Sequence, residues 1–498
     1  MDSPKKTDLL KKYTFRFLVG SQDLYGADVL RTVDEHARAM VDGFNTDPEI
    51  PCTVVFQPVV RNSDEISAAI QAANHDPDCA GVITWMHTFS PSKMWIRGLK
   101  LLQKPLLHVS TQFNRDIPWD RIDMDFMNLN QSAHGDREHG FILTRMRLPQ
   151  KAVAGHWEDA GLRRRIGAWM RAAVGAFESK RLRVLRISDN MREVAVTEGD
   201  KVEAHIQFGW SVDHYGVEDI IAEVEKVTEP EIDAQMRAYE ALYSVATEDL
   251  AAVRYQARVE VALRRFLEDG GFGAFHTNFQ DLQQLKQLPG LAAQDLMRLG
   301  YGFAGEGDWK TAAMVRILKL MSADLPGGTS FMEDYTYHFE PGNEMVLGAH
   351  MLEICPSIAS EKARIRVVPL GIGGREPPAR LTFKAAAGRA VLVSLIDLGE
   401  RFRLIVNEVD CVAQAHDMPK LPVAAVLWKP LPDLATATEA WMYAGGAHHS
   451  VLSYTVSVEQ LRDFAEIVGI EFVHIGAHTD VPSLRRELAV DDLVWKLR

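Results

Sequence analysis

Residues 14–41 read TFRFLVGSQDLYGADVLRTVDEHARAMV. The first seven are an apolar run that predicts a strand. Beyond a polar loop carrying Gln22, Leu24 and Tyr25, Val29, Leu30, Val33 and Ala37 fall on one side of a helix. The alternation then repeats. Residues 54–60 predict a second strand, and Ser63 caps a helix through Ile66, Ala69, Ile70 and Ala73. Residues 80–85 predict a third strand, 92–102 a helix, and 106–109 a fourth strand. Strands separated by single helices imply a parallel sheet covered by helices on both faces. No G-x-G-x-x-G follows the first strand, which argues against a dinucleotide ligand. Such sheets bind ligands beyond the carboxyl ends of their strands, so the loops 20–26, 86–91 and 110–114 are where polar residues become candidates.

A second α/β unit begins near Arg181. Strand-like runs at 192–197 and 202–208 precede helices around 217–227, 230–243 and 247–268. A further strand is expected at 274–279 and an amphipathic helix at 309–323. After Asp-Leu-Pro-Gly-Gly (324–328) the texture changes to alternating strands at 344–348, 363–369, 380–385, 390–397 and 401–408, followed by a helix at 457–467. Ala387-Gly388 and Gly399-Glu400 read as hairpin signals. The expected class is α/β: two N-terminal Rossmann-like parallel-sheet domains, 1–180 and 181–328, then a mainly antiparallel β domain, 329–498.

A chain of 498 residues accommodates two to four domains. With 47% hydrophobic and 25% charged residues it matches ordinary soluble globular proteins. A net charge of −13 supplies no basic footprint for nucleic acid, and no Lys/Arg cluster marks a membrane surface. The four cysteines are scattered without a C-x-x-C pair, which argues against a disulfide scaffold or a thiolate zinc site and for a reducing compartment. The N-terminal residues show no signal peptide, and no run of about twenty apolar residues is present. A cytoplasmic protein is expected.

Chemistry concentrates in 301–357. Glu306 stands between two glycines, Glu333 lies in Phe-Met-Glu-Asp-Tyr, and His350 in Gly-Ala-His-Met; far downstream, His448 and His449 follow a glycine pair. Two carboxylates and two imidazoles form an oxygen/nitrogen set suited to Mn, Fe, Co or Zn rather than Ca. Taken singly, each residue reads equally well as a solvated Glu or a hydrogen-bonded His. The separations match no compact ligand motif, so spacing leaves both readings open. Asn128, Asn130, Gln131 and His134 similarly read as a capped turn or as a loop contacting sugar hydroxyls. Residues 371–375, Gly-Ile-Gly-Gly-Arg, read as a flexible pocket turn rather than an anion nest.

Longer strings carry a resemblance. Gly-Ser-Gln-Asp-Leu-Tyr-Gly (20–26), Trp-Met-His-Thr-Phe-Ser-Pro-Ser-Lys-Met-Trp (85–95) and Asp-Met-Asp-Phe-Met-Asn-Leu-Asn-Gln-Ser-Ala-His-Gly (123–135) are followed by Asp-Asn-Met-Arg-Glu-Val-Ala-Val-Thr (189–197), the 306–356 stretch, Leu-Gly-Ile-Gly-Gly (370–374) and Ala-Gly-Gly-Ala-His-His (444–449). In this order, along nearly the whole chain, they resemble the L-arabinose isomerase family. The resemblance implies an L-fucose isomerase-like fold with a barrel-like C-terminal domain, assembled into homohexamers with sites at subunit interfaces. It implies conversion of L-arabinose to L-ribulose through a metal-bound cis-enediol, with D-galactose to D-tagatose as a companion reaction, in L-arabinose catabolism. Carried over residue by residue, Glu306, Glu333, His350 and His449 hold one Mn²⁺, with Co²⁺ as a substitute, and Glu306 and Glu333 are the acid/base pair. His449 rather than His448 matches the ligand position. His134, Met191, Phe279, Phe331 and Ile372 surround the sugar, and Gln22, Leu24 and Tyr25 reach a neighbouring subunit's site. Two positions depart from the family pattern: His139 stands where an aromatic ring is usual, and Ser110 lies where bulkier aromatic and imidazole groups are expected. Three rivals stay open on sequence: a non-catalytic sugar-binding protein, an isomerase of another aldose, and a metallohydrolase or lyase using the same ligands.

Overall fold

The computed structural model describes residues 9–282, 284–371 and 374–497. The chain forms two compact units, Met1–Phe177 and Glu178–Arg498. Among the described residues no helix is long and apolar enough to cross a membrane.

The first unit is a five-stranded parallel sheet of β1 (Thr14–Gly20), β2 (Thr53–Phe56), β3 (Cys79–Met86), β4 (Leu106–Ser110) and β5 (Lys151–Ala154), in the order β2-β1-β3-β4-β5. Every residue of the central β3 is buried, which explains its continuous apolar run. The helix Gly26–Thr46 buries Val33, Ala37, Met40, Val41 and Phe44. Three local expectations are corrected. The cap of the second helix is Asn62, whose side chain accepts from the Asp64 and Glu65 amides; Ser63 is already the first helical residue. β2 stops at Phe56, because Pro58 has no N–H to donate, and pairing resumes only as an isolated bridge between Gly20 and Val60. The expected helix at 92–102 is a 3₁₀ turn, Ser92–Trp95, followed by one helical turn, Ile96–Leu99.

The second unit opens with four parallel strands, β6 (Arg183–Ile187), β7 (Ser211–Tyr215), β9 (Ala274–His276) and β10 (Gly302–Ala304), in the order β10-β9-β6-β7; the two-residue β8 (Ser244–Val245) belongs elsewhere. The strands expected at 192–197 and 202–208 are absent. The first run is a loop with the 3₁₀ turn Ala195–Thr197, and the second is the helix Lys201–Phe208. Its alternating Val202, Ala204, Ile206 and Phe208 imitate a strand. Asp200 caps it, however, Gly209 ends it at φ 85°, and Val202 and Ile206 lie 70% and 71% exposed.

The remaining strands are β11 (Thr329–His338), β12 (Met345–Ala349), β13 (Arg364–Val367), β14 (Ala379–Thr382), β15 (Gly388–Asp397), β16 (Phe402–Val412), β17 (Ala425–Pro430), β18 (His449–Ser453) and β19 (Glu471–Ile475). Six close into an antiparallel barrel, β15-β18-β11-β12-β17-β16 and back to β15, leaving no edge open in that ring. β19 adds in parallel to β16, while β13 and β14 form a separate sheet in the order β14-β13-β8, β13 pairing with β8. Ala387-Gly388 is therefore not a hairpin: the chain passes there from one sheet to another. The Gly399 turn does join β15 to β16, with Asp397 opposite Phe402.

Glu471 at the start of β19 is buried between Arg401 (2.7 Å) and Arg403 (2.9 Å). Glu471→Gln removes the one buried anion of this cluster and leaves Arg401 with the half-exposed Glu400 and Asp492, and Arg403 with Asp492 alone. Because those partners remain, we expect a loss below the roughly 3–5 kcal/mol of a fully orphaned buried pair, read as a lower midpoint in chemical denaturation. An unchanged midpoint would show that the triad contributes nothing.

Candidate metal centre

Three loops leave the carboxyl ends of parallel strands on one side of the second unit. β6 leads to Met191, β9 to Phe279 and β10 to Glu306. The Met191 amide donates to the Glu306 carbonyl (3.0 Å), and the Gly307 amide to that of Thr277 (2.9 Å). Glu306 itself has φ 57°, a left-handed conformation rare outside glycine. Its neighbours must be glycine. A Cβ on Gly305 would lie 2.8 Å from His350 Cε1, and one on Gly307 2.4 Å from Asn190 Cα.

The barrel supplies the opposite wall. In β11, Glu333 stands directly across from His449 of β18 and from Ala349 of β12, and His350 follows immediately. Residues distant in sequence meet because opposed positions of antiparallel strands share a face. Phe331, two residues before Glu333 and so on the same face, sets its ring edge-on to His350 and to His449, at 5.0 Å from each. Phe279 stacks on His350 at 5.9 Å.

Each histidine is aimed by a carboxylate. Asp308 caps the helix Trp309–Met321, accepting from the Thr311 amide and hydroxyl, and accepts from His449 Nδ1 at 3.1 Å. Burial alone would raise the Asp308 carboxyl. The His449 contact, the nearby Lys310 ammonium and the Thr311 hydroxyl instead bring it well below the usual range. Glu353 holds His350 Nδ1 at 2.5 Å. Burial opposes protonation of His350, but Glu353, then Glu333 and Glu306, raise it above the ordinary imidazole value. Glu306 Oε2 lies 3.3 Å from His448 Nε2 and 3.8 Å from His449 Nε2. The His448 contact holds Glu306 below the usual carboxylate range and raises His448 in return.

The donor set fits a divalent cation. His449 is fully buried and, among the described residues, its Nε2 has no hydrogen-bond partner, although Nδ1 is fixed by Asp308. A buried orphaned nitrogen facing a carboxylate is costly unless something binds it. A carboxylate behind an imidazole is the usual arrangement behind a metal-bound histidine. Ligand atoms of Glu306, His448 and His449 lie within 4.8 Å of one another. Glu333 and His350 adjoin them through the strand register and the shared Phe331 ring.

Sequence reasoning named Glu306, Glu333, His350, His449, Met191, Phe279 and Phe331, and all seven converge here. Ile372 lies outside the described residues. Asp308 and Glu353 were missed. Asp308 was legible as an Asp-x-x-Thr helix start, and Glu353 as a lone acid in the apolar run Met-Leu-Glu-Ile-Cys. In the first unit, Gln22, Tyr25 and His134 share one rim: Gln22 Nε2 donates to the Phe89 carbonyl (3.1 Å), His134 stacks on Phe89 (4.3 Å), and Tyr25 Oη accepts from Gln131 (3.1 Å). Leu24, in the same turn, is 83% exposed.

Comparison with known proteins gives a consistent match. Family models described as the N-terminal, central and C-terminal domains of L-arabinose isomerase match residues 9–181, 183–324 and 328–471. The chain is 58% identical to the L-arabinose isomerase of Geobacillus kaustophilus over 98% of its own length and 99% of the relative's. It is 58% identical to that of Anoxybacillus flavithermus, over 98% of each chain, and 55% identical to that of Thermotoga maritima, over 98% and 99%.

Both histidines lie beside Glu306, and substitution tells their roles apart. Asp308→Asn keeps a helix-capping oxygen but loses the charge behind His449, and should weaken divalent-cation affinity about 10–100-fold. His449→Asn should weaken it further, and His448→Asn less. Calorimetric titration of Mn²⁺ into the three variants decides. Cation binding abolished in His448→Asn but intact in His449→Asn would reverse the ranking.

Proposed function

Because the chain belongs to the L-arabinose isomerase family, we propose that it converts L-arabinose to L-ribulose with a divalent cation, Mn²⁺ or Co²⁺, held by Glu306, Glu333, His350 and His449. The observation that carries this reading is the orphaned His449 Nε2, fixed by Asp308 and turned toward Glu306 beside a second carboxylate. A cation bound there supplies Lewis acidity toward the sugar's C1 and C2 oxygens. The protein's own part is proton movement. Isomerisation requires removal of the C2 proton, a cis-enediol, and return of a proton at C1, with one proton passing between O1 and O2. Glu306 and Glu333 face the same space from opposite walls and serve as that acid/base pair. Met191, Phe279 and Phe331 line the space with apolar surface, which keeps water from the open-chain sugar and strengthens each charge interaction.

D-galactose shares the configuration of L-arabinose at C2, C3 and C4, the centres nearest the reaction. The proposal extends to its conversion to D-tagatose, in an enzyme of arabinose catabolism working in the cytoplasm. We further read the assembly as a homohexamer in which the rim of Gln22, Leu24, Tyr25 and His134 completes a neighbouring copy's site. The three regions 1–180, 181–328 and 329–498 are the corresponding domains. Light scattering on fully active protein should report an oligomer, and a fully active monomer would exclude shared sites.

Glu306→Gln and Glu333→Gln each remove a charge and a proton acceptor while keeping size. We expect ketose formation from L-arabinose to fall at least about 10²–10⁴-fold. Chelation should abolish activity in the parent, and Mn²⁺ should restore it. Protons compete for imidazole, and His350 and His448 hold theirs above the ordinary pH. Cation affinity should therefore decline on acidification before an unperturbed histidine would titrate. Turnover in protein verified free of metal, or Glu→Gln variants within a few-fold of the parent, would defeat the mechanism.

A further inference from the structure

A buried hydrogen-bond chain in the first unit is not used by the chemistry above. Asp136, on the helix Ser132–Arg145, is 8% exposed and accepts from two groups at the carboxyl end of β4: Ser110 Oγ at 2.6 Å and His108 Nε2 at 2.9 Å. His108 Nδ1 lies 3.0 Å from Thr84 Oγ1 on β3, and that hydroxyl is 3.5 Å from His139 Nε2, one turn beyond Asp136. One set of donors satisfies every link. His139 Nε2–H donates to Thr84, the Thr84 hydroxyl to His108 Nδ1, and His108 Nε2–H to Asp136, while Ser110 donates to the other carboxylate oxygen. The alternative tautomer of His108 would set two lone pairs against each other at Asp136. Burial pushes the His139 imidazole well below its usual value. His139 and Ser110 are thus the two ends of one chain that runs through Asp136.

The grip acts on a specific element. His134 lies in the first turn of the same helix, two residues before Asp136, and its ring is exposed on the rim, stacked on Phe89. The start of that helix is fixed from below as well. The Gln131 amide donates to the His87 carbonyl (2.9 Å) and the Ser132 amide to Gln112 (3.3 Å). A Cβ added to Gly135 would meet that of Met86 at 2.8 Å, so the helix lies directly on β3. A buried carboxylate is tolerated only with its donors in place. This contact therefore has one favoured register, and a shift of the helix breaks both bonds at once.

We propose that Asp136, gripped by Ser110 and His108, is a positioning residue that holds His134 where the sugar is bound. The proposal rests on the isomerase reading for the sugar's identity, but the grip itself can be tested without turnover. Ser110→Ala and Asp136→Asn should raise KM for L-arabinose on the order of tenfold, within the range of up to about 10²-fold that misplacing a binding group costs. They should leave kcat within about twofold and Mn²⁺ affinity unchanged, and Ser110→Thr should restore KM by keeping the hydroxyl. The decisive readout is coupling. Combined with His134→Ala, neither change should add to the effect of His134→Ala alone. Hydrogen–deuterium exchange of the resting protein should show lost protection at 131–136 in both variants. Additive effects, or an unchanged KM in both Ser110→Ala and Asp136→Asn, would overturn the positioning role. If the parent fails to isomerise L-arabinose, the function reading falls, and exchange alone decides: lost protection keeps the grip, unchanged protection removes it. Should Asp136→Asn fail to fold, Ser110→Ala and its threonine rescue carry the test.

Discussion

The contact between Asp308 and His449 joins the two layers of the larger unit at their functional point. Asp308 belongs to the parallel-sheet layer, where it starts the helix Trp309–Met321, and His449 opens barrel strand β18. A single buried carboxylate thus caps a helix, orients an imidazole and ties a sheet loop to a barrel strand. Its ionised state is maintained by donors from both layers, so the layers cannot separate without leaving a charge unsolvated. The loop carrying Glu306 inherits its position from this contact, being two residues away.

Much of the architecture was legible because period and punctuation agreed. The strand at 14–20, the helices at 217–227 and 247–268 and the turn at Gly399 are written in local sequence and appear where expected. The failures share a cause. Residues 202–208 alternate like a strand, but with Asp200 before and Gly209 after they form a helix, so termini outweighed period. Residues 329–338 form the central site strand β11, yet Tyr335, Thr336, Tyr337 and His338 obscured any apolar pattern, because that end of the strand is exposed. Barrel closure and the pairing of β13 with β8 join distant segments, which no local window encodes.

The same distinction holds for the site. Glu306, Glu333, His350 and His449 could be named from resemblance, whereas their spacing carried no geometric message. What brings them together is strand register, a property of pairing and not of either strand. Asp308 and Glu353 went unnoticed because a carboxylate that acts through a histidine has the sequence appearance of a helix cap or a stray acid. In the first unit, nothing in the sequence links His139 to Ser110; their connection through His108 and Asp136 exists only in three dimensions.

The left-handed backbone of Glu306 has a thermodynamic consequence for ligand capture. Fixing one residue's backbone costs roughly 1–2 kcal/mol in conformational entropy, and a left-handed non-glycine residue adds strain. With Gly305 and Gly307 packed against His350 and Asn190, that cost is met when the chain folds and not when a ligand arrives. A bound cation or sugar then meets a carboxylate whose main chain has nowhere else to go, and the binding energy is not diminished by ordering it.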